Sequence, residues 1–141
     1  ALSSAASDVY KRQATTYRET GLFDTVDLLL SVPLHPKRMR QRGYNQSEWI
    51  AYGIRSATGI AVDTSSLSRI KKTESQTRKQ IFERSENVED IVRVENTDTL
   101  KNKHILLVDD VITTGSTMNA CAEAMKAISG IRISILGIAV A

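Results

Sequence analysis

Residues 105–117 read ILLVDDVITTGST, and the order of these thirteen residues decides the fold. Ile105 to Val108 form an apolar run without alternation, the pattern of a parallel strand covered on both faces. Asp109 and Asp110 are expected to end that strand, and a turn of threonine, glycine and serine follows them. Beyond the turn, Met118, Cys121, Ala122, Met125 and Ile128 recur at helical spacing on what reads as a core face, with Gly130 as the stop. A strand, a tight turn and a helix N-terminus in that order put a ligand site at the carboxyl edge of an open α/β sheet. Backbone N–H groups from Thr113 to Thr117, the helix dipole and the hydroxyls of Thr113, Thr114, Ser116 and Thr117 would cradle a phosphate dianion. Gly115 lets the backbone come close. Asp109 and Asp110, beside the cradle, can accept hydrogen bonds from vicinal hydroxyls, directly or through a magnesium ion. Ribose 5-phosphate combines all of these groups.

Working outward, Val26 to Val32 reads as a second buried strand, stopped by Pro33, which has no N–H for a ladder. A loop then carries Pro33, Leu34, His35 and Pro36, followed by Lys37, Arg38, Arg40 and Arg42 with no acid among them. Asn45 through Glu48 has the form of a capping box, with Asn45 accepting from the first turn and Glu48 reaching back. Trp49, Ile50, Gly53, Ile54 and Ala57 continue it as a helix closed by Gly59. Residues 8–20 read as a weak helix ended by Gly21, Val92 and Val94 as a short strand, and Ile131 to Val140 as the last strand. Residues 71–90 hold ten charges and almost no apolar period, which reads as a mobile, partly helical loop too long for an idle connection. Strand–helix–strand succession implies right-handed crossovers and an open, mostly parallel, doubly wound sheet with helices on both sides.

Composition bounds the rest. The chain has 141 residues, 41% hydrophobic and 25% charged, which suits one compact domain. One cysteine, Cys121, supports neither an internal disulfide nor a zinc site, and a lone thiol suits a reducing cytoplasm. No apolar run approaches the roughly 18 residues of a membrane span, and the first residues lack a hydrophobic signal core. The chain begins with Ala1 rather than methionine, so processing, or excision from a longer protein, is expected. The net charge of +3 is too small to argue for nucleic acid by itself. The basic run from Lys37 to Arg42 is compatible with a solvated turn, a pyrophosphate contact or a DNA contact. Tyr44 is the one aromatic available there for stacking on bases, which weakens a dedicated nucleic-acid module. A P-loop is excluded because no GxxxxGK[ST] run occurs. His35 reads as a loop residue, Asn45 as a cap, and Trp49 as packing.

The segment ILLVDDVITTGST resembles the ribose-phosphate signature of the type I phosphoribosyltransferases. More narrowly, SVPLHPKRMRQRGYNQSE, then RIKKTESQTRKQIFERSENV, then LLVDDVITTGST is similar in order to the ComF family, phosphoribosyltransferase-like proteins associated with bacterial competence, over about residues 23–140. The resemblance implies the type I phosphoribosyltransferase fold, with residues 1–22 a helical segment belonging to a hood and residues 23–141 the main domain with a mobile loop at about 69–90. It implies that Asp109 and Asp110 bind the ribose hydroxyls of phosphoribosyl pyrophosphate and its Mg2+, and that Thr113, Thr114, Gly115, Ser116 and Thr117 bind the 5-phosphate. Pro33, Leu34, His35, Lys37 and Arg38 would lie at the pyrophosphate. Arg78, Lys79 and Arg84, with Lys71 and Lys72 as further candidates, would meet the leaving group when the loop closes. Implied with these are transfer of phosphoribosyl to an unknown acceptor, cytoplasmic location, a homodimer as in relatives that pair, and alternatively a competence role through DNA-uptake proteins with little catalysis. The paired-cysteine zinc ribbon common in ComF proteins has no counterpart here, so zinc is not expected. Thr113 stands where many purine-salvage relatives have an aspartate, which weakens a purine-salvage reading.

Overall fold

The computed structural model describes residues 2–70 and 91–141. In chain order the elements are α1 (Leu2–Arg18), β1 (Leu28–Ser31), α2 (Pro36–Arg42), α3 (Gln46–Thr58), β2 (Ala61–Asp63), β3 (Leu67–Ile70), β4 (Ile91–Val94), β5 (His104–Ile112), α4 (Ser116–Met125) and β6 (Arg132–Val140). Four strands form a parallel sheet in the order β2-β1-β5-β6. β3 and β4 pair antiparallel as a separate two-stranded sheet.

Two apolar layers hold the parallel sheet. Successive residues of a strand point to opposite faces, so an unbroken apolar run feeds both. Leu28, Leu30, Ile105 and Leu107 pack on one side with Met118, Cys121 and Met125 of α4 and Leu67 of β3. Leu29, Leu106 and Val108 pack on the other with Ile50, Ala51, Ile54 and Ala57 of α3 and Ala14 of α1. Leu29, Leu30, Ile105 and Leu107 are essentially inaccessible to solvent. Each such side chain contributes about 1.5–3 kcal/mol by leaving water. The doubly wound arrangement expected from the sequence is therefore the one observed.

Several boundaries differ from the sequence reading, each for a local reason. The first helix spans Leu2–Arg18 and lies across α3 at Gly53, where an added Cβ would come within 2.6 Å of Tyr10 Cβ and 2.9 Å of the Lys11 amide nitrogen. The expected loop from Pro33 to Arg42 contains a helix, α2, with no buried residue. End groups hold it: Pro36 presets the first turn, His35 Nδ1 accepts from the Lys37 amide at 3.0 Å, and Gly43 in the left-handed region returns its N–H to Met39. Helix α4 stops at Met125, not Gly130; Gly130 instead turns the chain tightly against Asn102 before β6. The expected capping box is half formed, with Asn45 Oδ1 accepting from the Ser47 amide while Glu48 makes no return bond among the described residues. β2 and β3 were not anticipated, since three or four residues of mixed polarity carry little periodicity. The strand expected around Val92 and Val94 is β4, and its partner is β3.

The strand that carries the carboxylates also differs. Asp109 and Asp110 do not end it: β5 continues to Ile112. Pairing with β1 stops at Ser31 opposite Val108, whereas pairing with β6 runs on to Ile112 opposite Val140. The two carboxylates thus emerge just past the end of β1, on a stretch of β5 supported from one side only.

Candidate functional site

A cleft of about 300 Å³ opens at this step in the sheet. Its walls come from the exit of β1 (Val32, Pro33, Leu34), from α2 (Arg38, Arg42), from the start of α3 (Asn45, Gln46, Ser47), from β3 (Arg69), and from β5 with the turn after it (Asp109, Asp110, Val111, Thr113, Thr117). Five separate chain segments converge there because β1 ends early. Proline 33 can neither continue the ladder nor permit a helix to start before it, so the chain turns off the sheet and exposes the flank of β5.

Three arginines, Arg38, Arg42 and Arg69, share the walls with Asp109 and Asp110. Arg38 and Arg42 are one helical turn apart on α2 and so occupy one face of it. A ligand carrying both anionic oxygens and hydroxyl groups, or anionic oxygens with a bound cation, matches that mixture.

The carboxylates are fixed in place. Asp109 Oδ1 accepts from the Ser47 hydroxyl at 3.0 Å and from the Asp110 amide at 2.8 Å. Asp110 Oδ1 accepts from the Val111 amide at 2.8 Å. Burial, and then the adjacent Asp110 carboxyl, raise Asp109 above the ordinary aspartate value; bonds from the Asp110 amide and Ser47 act in the opposite direction.

After the strand, Gly115 sits in the left-handed region at φ 78° as the N-cap of α4, with nothing within 4 Å of the place a Cβ would take. Having no side chain, it leaves the first turn of α4 without a side-chain cap. The Thr114 and Ser116 hydroxyls bond each other at 3.1 Å, and Thr114 Oγ1 accepts from the Ser116 amide at 3.3 Å, which shapes the turn. Thr113 and Thr117 line the cleft; Thr114, Gly115 and Ser116 complete the turn between them, outside the lining.

Of the residues anticipated for pyrophosphate, Pro33, Leu34 and Arg38 line the cleft. Lys37 lies outside that lining, and the His35 ring caps α2. Arg78, Lys79 and Arg84, like Lys71 and Lys72, fall outside the described residues. Sequence reading missed Gln46, Ser47 and Arg69 as wall residues, and left Arg42 open between solvent, pyrophosphate and DNA. Arg42 belonged to a basic run whose direction could not be known before α2 was seen. Ser47 is separated from Asp109 by 62 positions, and nothing local to NQSE points to that contact.

Comparison with known proteins accords with this geometry. The phosphoribosyl transferase domain family matches residues 52–140, which include β5, its carboxylates and the turn into α4. The chain belongs to that family. As a phosphoribosyl transferase domain it is 34% identical over 106 residues to the DNA utilization protein YhgH of Salmonella typhimurium, across 75% of this chain and 45% of that protein. It is 28% identical over 114 residues to Competence protein F of Haemophilus influenzae, across 80% of this chain and 50% of that protein. The chain spans about half the length of these curated relatives. Among solved structures, the purine phosphoribosyltransferase of Pyrococcus horikoshii superposes with a TM-score of 0.54 at 16% identity, over 93% of this chain and 74% of that one. That likeness concerns the fold, which is the type I phosphoribosyltransferase fold, and the resemblance to ComF proteins agrees with the competence relative.

Proposed function

We propose that this phosphoribosyl transferase domain binds phosphoribosyl pyrophosphate with Mg2+ and transfers the phosphoribosyl group to an acceptor of unidentified structure, releasing pyrophosphate. The observation that carries the reading is the joining, in one cleft, of two fixed carboxylates, Thr113 and Thr117 on either side of the N-terminus of α4, and three arginines. Diol, phosphate and leaving pyrophosphate each have a matching wall.

The donor set suits the cation. Protein hydrogen bonds fall on Oδ1 of Asp109 and of Asp110, and none among the described residues falls on either Oδ2. No group of three or more acidic, histidine or cysteine ligands occurs among the described residues. Magnesium retains waters and substrate oxygens and commonly takes only one or two carboxylates from protein. Asp109 and Asp110 would hold it, and its chemistry there is neutralisation of charge on the departing oxygens.

In the reaction, the bond between ribose C1 and the pyrophosphate oxygen breaks and the electron pair leaves with pyrophosphate. The acceptor's lone pair forms the new bond to C1 from the opposite face. Asp109 and Asp110 hold the ribose hydroxyls, and the turn from Thr113 to Thr117 holds the 5-phosphate by backbone amides and the Thr113 and Thr117 hydroxyls. Arg38, Arg42 and Arg69 stabilise the anionic oxygens as charge grows on them. The names of the relatives favour a second reading, in which the same site binds its ligand and serves DNA use or competence with little turnover.

Calorimetric titration of phosphoribosyl pyrophosphate with Mg2+ tests the common core of both. Saturable binding to the wild type, lost in an Asp109→Asn, Asp110→Asn double variant that stays folded, is the expected result. Absence of binding by folded wild-type protein overturns the site.

A further inference from the structure

We propose that Ser47 is a positioning residue for the ligand carboxylates: its hydroxyl holds Asp109 in the one orientation that turns Oδ2 toward the ribose. This rests on the ribose-phosphate reading of the cleft.

Three contacts build the device. Asn45, the N-cap of α3, donates from Nδ2 to the Val32 carbonyl at 3.0 Å, which ties the helix start to the exit of β1. The same side chain accepts from the Ser47 amide through Oδ1 at 3.1 Å, so the first turn of α3 is fixed against the sheet. Ser47 is then buried with its hydroxyl within 3.0 Å of Asp109 Oδ1. The arrangement crosses from β1 to α3 to β5, three of the elements that meet at the cleft.

A helix cap alone does not account for this. Asn45 already satisfies the first-turn amide, and a serine hydroxyl early in a helix ordinarily turns to a local backbone group. Here it donates to a carboxylate on another element. The bond is charge-assisted, and with the Asp110 amide it engages one oxygen of Asp109, a residue of the cleft lining, leaving the other without a donor among the described residues. Without Ser47, the carboxylate retains only the Asp110 amide and can rotate about its last torsion, which is broad for aspartate. Ligands that need that oxygen would then lose the preorganised partner, whereas phosphate in the Thr113–Thr117 turn would not.

The test compares two probes on intact chains. Ribose 5-phosphate with Mg2+ reports the carboxylates and the cradle together; inorganic phosphate reports the cradle alone. Ser47→Ala is expected to weaken ribose 5-phosphate roughly tenfold, the scale of one charge-assisted hydrogen bond, while leaving inorganic phosphate affinity unchanged. Ser47→Thr, which keeps the hydroxyl, is expected to restore most of the loss. If Ser47→Ala matches wild type for both probes, or weakens both alike together with a fall in Tm, Ser47 has no positioning role. If folded wild type binds neither probe, the site reading itself fails and the proposal falls with it.

Discussion

A carboxylate held above its ordinary pKa is a local cost that the folded chain carries. Asp109 is raised by burial first and by Asp110 second. For an acid whose folded pKa exceeds its unfolded one, the cost is absent below the unfolded value. It sets in as pH rises through the interval between the two and is complete above the folded value. Asp109→Asn, which keeps an acceptor for Ser47 and the Asp110 amide, is therefore expected to raise the Tm of ligand-free protein at pH 7 by a few degrees. The gain should vanish near pH 3, where Asp109 is protonated in both states. Thermal scans at the two pH values check this, and a lower Tm at pH 7 would contradict it. The candidate site residues were half legible at this scale. Asp109, Asp110 and the turn from Thr113 to Thr117 announce themselves because one ligand explains adjacent residue types. Ser47 and Arg69 do not, since their part depends on contacts made across the fold.

At the scale of elements, the junction of α1 with α3 is set by a missing side chain. A Cβ on Gly53 would meet backbone atoms of Lys11 and Ser7, both at 2.9 Å, as well as Tyr10 Cβ at 2.6 Å. Backbone cannot rotate aside, so the helix propensity that Gly53→Ala gains is outweighed by displacement of α1. A net loss of about 1–3 kcal/mol is expected, measured by urea unfolding. Unchanged stability would mean that α1 is not tightly seated. The sequence marked α3, β1 and β5 well because apolar runs and caps agree there. It did not reveal α2, whose polar residues follow no buried face, or the extension of β5 past its aspartates. That extension exists because β6 continues to offer a partner, which is information held by residues 137–140 rather than by residues 105–112.

The whole molecule was legible in outline: a parallel sheet wound on both faces follows from strands without alternation and the crossovers they require. Cys121, on α4, is fully buried in one of the two apolar layers, with burial pushing its thiol up to about 12. Thiol reagent at pH 8 should leave the native chain unlabelled and react promptly in denaturant, so the native labelling rate reports opening of the core. Phosphoribosyl pyrophosphate with Mg2+, binding only the folded form, should slow that rate further, and prompt native labelling would show a looser α4 than the packing describes. Among the described residues no helix is long and apolar enough to cross a membrane. The step where β1 stops and β5 goes on has a mechanical meaning. Asp109 and Asp110 ride on a cantilever braced along one flank by an edge strand, so on the proposed reading a load or kink introduced at residues 137–140 would register as weakened ribose binding, with no ligand-contacting atom altered.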